Sequence, residues 1–266
     1  MNYKLSAIMP ALNEEGNIVD AVENVIDSCR KVGCSVEVIV VNDGSTDKTE
    51  LMVNGLMEKY PFVKMISHDK PKGIGASYWE GVRESQGEMV TYIPGDFQND
   101  AYETLRYLPV MDHVDIVIPF FYNMNVRKWS RRMISKFYKG IINVSFGMLL
   151  NYMNGPVIFR KCVLENVVLK STGFFYQTEL LIKCLNSGYL YAEVSCAVNE
   201  RTSGESKALT LSSFYKVITD YLYTMAAVYI FDRKDKSIMP NSVTALRHKQ
   251  HAEFIKSQQL GRKVAG

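Results

Sequence analysis

The segment Val36–Val41, VEVIVV, constrains the fold most. It is a near-continuous β-branched run, the pattern of a strand buried on both faces of a parallel sheet. It stops abruptly at Asn42-Asp43-Gly44-Ser45-Thr46-Asp47, a string of turn-forming residues. Runs of the same kind stand at Leu5–Met9, Val63–Ser67, Met89–Ile93 and Asp115–Phe120. Helical patterns separate them. Asn13 can cap the first, which carries Ile18, Val22, Val25 and Ile26 at helical spacing. Ser45 or Thr46 caps a second, running to about Lys59. Lys72-Gly73-Ile74-Gly75 opens a third, and a fourth runs from Asp100 to about Leu108. This alternation predicts an α/β fold, a mostly parallel sheet flanked by helices and joined by right-handed crossovers. Ligands of such sheets sit beyond the carboxyl ends of the strands. Pro10–Glu14, Asn42–Asp47, Lys72–Gly75 and Asp96–Gln98 all fall there and together outline a cleft.

The loop after the fourth strand carries the most chemistry. In Thr91–Asp100, TYIPGDFQND, an apolar run ends at Pro94-Gly95 and is followed by one carboxylate, Asp96, and one amide, Gln98. Hard divalent cations take oxygen ligands, and substrate phosphates often supply most of them. A plain surface turn is the competing reading, because Pro-Gly-Asp is ordinary turn chemistry.

With 266 residues, 47% hydrophobic and 22% charged, the chain suits one α/β domain with an appendage. A net charge of +3 is too mild to argue for nucleic acid. Five scattered cysteines without a CxxC read as reduced thiols of a cytoplasmic protein. The N-terminus lacks the pattern of a signal peptide, and no apolar run reaches the ~18 residues of a membrane span.

In the second half, a helical stretch runs from Trp129 to about Leu150, and Leu190–Val194 reads as a late strand. Arg131 and Ser135, four apart, share a face of that helix, near Arg127, Lys128 and Lys136. Leu211–Phe231 is a helix with Phe214, Val217, Ile218, Tyr221, Leu222, Met225, Val228 and Tyr229 on a broad apolar face interrupted by Lys216 and Asp220. Such a face can lie on a membrane surface, the inner face of the membrane for a cytoplasmic protein, or pack on the catalytic domain or a second subunit in a homo-oligomer. These features divide the chain into a catalytic domain over 1–210, an amphipathic helix over 211–235 and a polar tail over 236–266 with weak helicity in Thr244–Ile255. His248 and His251 read as surface residues, and His68 and His113 have no partner visible in the sequence. Phe120–Phe121 and Phe174–Phe175 read as core, with an acceptor mouth as the alternative.

Taken together, PALNEEGNI (Pro10–Ile18), VIVVNDGSTDKT (Val38–Thr49), KGIGAS (Lys72–Ser77), IPGDFQND (Ile93–Asp100), FFYQTELLIK (Phe174–Lys183) and ERTSGESK (Glu200–Lys207) resemble glycosyltransferase family 2, with the GT-A fold. Within it the chain is most similar to dolichyl- or polyprenyl-phosphate sugar synthases. The resemblance implies an inverting glycosyltransferase acting on a UDP- or GDP-linked sugar with Mg²⁺ or Mn²⁺. It places Pro10, Ala11, Glu14, Asp43 and Gly73 around the nucleotide sugar. Asp96 and Gln98 would ligate the cation, and Arg201 and Lys207 would close over the diphosphate. Glu179 is polar and near the site in the family, which makes it a candidate base; a helix-terminal acid favourable to the dipole is the alternative. Arg131 and Ser135 would meet the acceptor phosphate. The family usually carries Asp-x-Asp where this chain has Pro94-Gly95-Asp96, so the cation would lean more on the diphosphate, or Arg201 and Lys207 would carry the charge without it. The segment Asn151–Arg160 has Asn151 where Asp is common in the family.

Polyprenyl phosphate is the expected acceptor. A saccharide or other hydroxyl acceptor of a surface polysaccharide or glycoconjugate is the alternative. A non-catalytic nucleotide-sugar-binding protein is the rival of another class. A nucleotidyltransferase ranks below these, since the loop after the first strand is acidic and lacks glycine until Gly16.

Overall fold

Strands β1 (Leu5–Ala11) and β2 (Val36–Asn42) are buried along almost their whole length, and their side chains alternate between two apolar layers. This is the period of two that a pleated strand imposes. The computed structural model describes residues 4–97, 100–123, 129–197, 211–231 and 238–264. Leu5, Ala7, Met9, Val36, Val38 and Val40 face one layer, covered by α1 (Ile18–Lys31) and α2 (Thr49–Lys59). Ile8, Ile39 and Val41 face the other, covered by α3 (Ile74–Glu84), α5 (Trp129–Phe146) and α7 (Tyr176–Asn186). Helix α3 lies so close to β1 that a Cβ on Gly81 would run into Ile8 Cγ2.

The sheet has seven strands in the order β3 (Val63–Ser67), β2, β1, β4 (Met89–Tyr92), β6 (Ile158–Arg160), β5 (Ile116–Phe121), β7 (Tyr191–Cys196). Ile8 stands opposite Ile39 on one side and Tyr92 on the other, both parallel. Strand β6, absent from the sequence reading, runs antiparallel between β4 and β5, with Phe159 opposite both Val90 and Ile116. Three residues are too few to show a period.

The expected helix from Asp100 to Leu108 is instead α4 (Ala101–Leu105) followed by a 3₁₀ turn, Leu108–Asp112. A proline in a helix clashes with the carbonyl four residues before it, and Pro109 stands four after Leu105. The expected caps also change. Asn13 adopts φ 57° and its side chain accepts the Thr46 N–H at 2.8 Å, so it ties two loops together rather than starting α1. At α2, Asp47 takes the role expected of Ser45 or Thr46, accepting the Thr49 N–H at 3.0 Å.

After α6 (Lys161–Glu165), α7 and β7 come α8 (Leu211–Ala226), which ends in a π-helical turn Ala227–Phe231, and α9 (Val243–Val264). Helix α9 is pinned to the sheet at its start. The buried Asp115 accepts the Val243 N–H at 2.7 Å, the Thr244 N–H at 2.9 Å and the Thr244 hydroxyl.

Candidate active site

Strand order reverses direction at β1, whose neighbours β2 and β4 continue the chain to opposite sides. A crevice opens at such a switch point. The carboxyl ends of three strands are bonded together here. The Asp43 N–H donates to the Ala11 carbonyl at 2.8 Å, and the Gly95 N–H to the Pro10 carbonyl at 3.4 Å. Pro10, Ala11, Asp43 and Asp96 therefore share one edge, as the motif positions implied. Asn13 and Phe97 (φ 51°) are the non-glycine residues with positive φ among those described, and both lie at this edge. Side-chain-bearing residues avoid that region unless their surroundings enforce it.

Asp96 is half-buried at the end of β4. Burial first, then the negative charges of Asp96 and Glu14, push the Tyr92 phenol above its ordinary range. The Glu14 N–H donates to Thr49 Oγ1 at 2.8 Å and its carboxylate accepts from Asn17 Nδ2 at 2.9 Å. Among the described residues no group of three or more His, Cys, Asp or Glu side chains is placed to hold a metal. Asp96 and Glu14 bring carboxylate oxygens to this edge, the ligand type that Mg²⁺ or Mn²⁺ takes beside a diphosphate. Gln98, Arg201 and Lys207 lie outside the described residues, and Arg131 is described in its backbone alone.

Asp43 builds the edge more than it faces it. It is 5% exposed. Its Oδ1 accepts the Lys72 N–H at 2.7 Å and meets His68 Nδ1 at 2.7 Å, and its Oδ2 accepts the Gly73 N–H at 2.9 Å. Burial acts to raise its pKa, but these donors together outweigh it and hold the carboxyl below its ordinary value. His68, for which the sequence offered no partner, sits between two carboxylates, with Nε2 2.9 Å from Glu80 Oε2. Gly73 adopts φ +100°, and a Cβ there would lie 2.5 Å from the Thr172 carbonyl oxygen. Only glycine can be in that place.

Glu179, the sequence candidate for a base, is 1% exposed. Its carboxylate accepts the Ser171 N–H at 2.7 Å and the Lys170 N–H at 3.1 Å, and pairs with Lys183 Nζ at 2.7 Å. It holds the loop whose Thr172 carbonyl accepts the Gly75 N–H at 2.9 Å. Glu179 thus reaches the Gly73 turn through one loop.

Beside this edge lies a cavity of about 200 Å³ lined by Phe120, Phe121, Arg132, Ser135, Lys136, Lys139, Asn151 and Tyr152. Ser135 and Lys136, placed by the sequence near the acceptor phosphate, line it, as do Phe120 and Phe121, read from the sequence as core with an acceptor mouth as the alternative. Arg132, Lys139 and Tyr152 were not singled out from the sequence; Arg132 and Lys139 are seven apart, a helical repeat that could have found them. Asn151 is held by Glu193, its N–H at 2.6 Å from Oε1 and its side-chain amide at 3.0 Å from Oε2. Tyr152 packs on Phe121 with ring centroids 5.2 Å apart, and it also acts on the Tyr92 phenol. Phe120 and Phe121 end β5, which like β4 runs antiparallel to β6, so the cavity lies at the same edge of the sheet as Asp96.

Comparison with known proteins bears on the family and the fold. The chain is 29% identical over 212 residues to a dolichol-phosphate mannosyltransferase of Pyrococcus furiosus, covering 77% of this chain but 59% of that relative's length. It is 29% identical over 215 residues to a polyprenol monophosphomannose synthase of Mycolicibacterium smegmatis, covering 75% of this chain and 79% of the relative. A crystal structure of glucosyl-3-phosphoglycerate synthase from Mycobacterium tuberculosis, in complex with Mn²⁺, UDP and glucosyl-3-phosphoglycerate, superposes with a TM-score of 0.58 at 21% identity, covering 84% of this chain and 80% of that one. The architecture is the GT-A fold. The model of glycosyl transferase family 2 matches residues 6–170, which include the bonded ends of β1, β2 and β4, and the chain belongs to that family.

Proposed function

We propose that this chain transfers a sugar from a UDP- or GDP-linked donor to polyprenyl phosphate, inverting the anomeric carbon in one displacement. The observation that carries this reading is the cavity lined by Arg132, Ser135, Lys136 and Lys139, which lies at the same sheet edge as Asp96. Three cations and a hydroxyl suit a phosphate, and guanidinium grips phosphate oxygens in bidentate fashion. Both dolichol- and polyprenol-linked relatives support the same acceptor class.

Pro10, Ala11, Glu14 and the Gly73 turn would receive the nucleotide, with Asp43 fixing that turn. Asp96, with Gln98, would hold Mg²⁺ or Mn²⁺, which when bound neutralises charge on the departing diphosphate. Arg201 and Lys207 would add fixed cations to the same charge. Arg131, Arg132, Ser135 and Lys139 would hold the acceptor so that a phosphate oxygen attacks the anomeric carbon while the bond to the diphosphate breaks. A phosphate acceptor is already anionic and needs no base. This fits Glu179, whose carboxylate is spent on Lys170, Ser171 and Lys183. We assign Glu179 as a positioning residue for the loop against Gly73. A hydroxyl acceptor would need a base from elsewhere.

Incubation with a radiolabelled nucleotide sugar and polyprenyl phosphate tests the reading. Label is expected in the organic extract, with nucleoside diphosphate released. Label that stays in the aqueous phase on a saccharide supports the hydroxyl-acceptor alternative. Donor binding without turnover on any acceptor supports a non-catalytic binding protein.

A further inference from the structure

Lys216 and Asp220 interrupt the apolar face of α8, and the fold turns both toward one loop. They stand four apart and share one side of the helix. Asp220 Oδ2 accepts the Ser171 hydroxyl at 2.6 Å. Lys216 Nζ donates to Thr172 Oγ1, and a Cβ on Gly173 would lie 3.3 Å from Lys216 Cδ, so the lysine stem runs along the same loop. Two side chains of α8 thus hold three consecutive residues, 171–173. Ser171 is 1% exposed, so removing Asp220 takes the partner from a buried hydroxyl, which is costly.

The far side of that loop is the Gly73 turn. The Thr172 carbonyl accepts the Gly75 N–H, and a Cβ on Gly75 would lie 2.7 Å from the Ser171 carbonyl oxygen. Packing this close passes a shift of the loop on to the turn. Glu179 holds the loop from the core through the Lys170 and Ser171 N–H groups, whereas α8 holds its side chains. The helix has a firm seat of its own. Val217, Tyr221, Met225 and Val228 pack on the core, and the Tyr221 hydroxyl lies 2.8 Å from Ser145 Oγ of α5. A solvated helix face would account for one lysine and one aspartate on α8. It would not bring both to the loop that carries the Gly75 hydrogen bond.

We infer that Lys216 and Asp220 are positioning residues for the donor. They latch residues 171–173 against the Gly73 turn and so set the shape of the pocket that receives the nucleotide. They act through the loop and need not touch the nucleotide themselves. The effect on the donor rests on the proposed role of the Gly73 turn; the latch itself does not.

The test compares the full chain with its Asp220→Ala, Asp220→Asn and Lys216→Met variants, by amide hydrogen exchange and by titration with UDP and GDP. Exchange reads the latch without any donor. The Gly75 amide is expected to exchange at least about tenfold faster in Asp220→Ala and Lys216→Met. The Asp43 amide, bonded to the Ala11 carbonyl, should keep its wild-type rate. Nucleotide affinity should fall about tenfold and the donor KM rise with it, while kcat stays within about threefold. Asp220→Asn keeps an acceptor for the Ser171 hydroxyl and should recover most of both losses. Exchange at Gly75 equal to wild type in Asp220→Ala and Lys216→Met overturns the latch. So does faster exchange at Gly75 and Asp43 alike without rescue by Asp220→Asn, since α8 would then support the whole fold rather than one turn. Faster exchange at Gly75 with unchanged nucleotide affinity leaves the latch standing and refutes the donor role of the turn instead. Wild type that binds neither nucleotide refutes that role too, and exchange alone then decides the latch.

Discussion

Replacing Asp43 with asparagine separates building the donor edge from touching the donor. The carboxylate has three protein donors on two oxygens, His68 and Lys72 on Oδ1 and Gly73 on Oδ2. Asparagine is close to isosteric but turns one oxygen into a donor. Its least costly rotamer keeps Oδ1 and sets an amide N–H against the Gly73 N–H. That loses one charge-assisted bond, worth about 1.5–3 kcal/mol, and leaves a buried N–H unpaired. The other two bonds weaken to neutral strength. We expect a loss of about 2–4 kcal/mol in unfolding free energy at pH 7, read from urea melts by circular dichroism. The pH profile makes the test sharper. The folded pKa of Asp43 lies below its ordinary value, so its stabilisation is full above the unfolded value of about 4 and fades as pH falls through the folded one. The gap between wild type and variant should therefore narrow below about pH 4 and stay constant above about pH 5. A gap under about 0.5 kcal/mol at pH 7, or one that does not narrow in acid, would refute the claim that Asp43 holds the Lys72–Gly73 turn through its charge.

Asp96→Ala is expected to lower kcat by about 10²–10³ while the chain stays folded, measured as nucleoside diphosphate release with Mg²⁺ or Mn²⁺. Undiminished transfer, with or without a chelator, removes Asp96 from the chemistry. Glu179→Ala should raise the donor KM about tenfold and leave kcat within about threefold, whereas Glu179→Gln, which keeps one acceptor for the loop N–H groups, should recover most of the loss. A fall in kcat with an unchanged donor KM in both variants would instead make Glu179 the base.

The parallel strands were legible because each is a local run of β-branched and aliphatic residues with turn chemistry at its end. The same local reading located Pro10, Ala11, Asp43 and Asp96 at one edge. It missed β6, whose three residues carry no period, and it misplaced the caps at Asn13 and Asp47, whose choice depends on the facing loop. His68 was opaque because Asp43 and Glu80, the partners of its ring nitrogens, are 25 and 12 residues away.

By itself, then, the order of residues determined the alternation of strands and helices, the cleft at the strand ends and the motifs of the family. Only the folded chain decided which carboxylates hold its backbone together. Folding brings backbone N–H groups to Asp43, Asp115 and Glu179 and buries them, Asp115 across 128 residues. It also decided that α8 has two apolar faces, one used and one outward. Periodicity is a property of neighbours along the chain, whereas burial and hydrogen-bond partnership are properties of whatever the fold brings alongside.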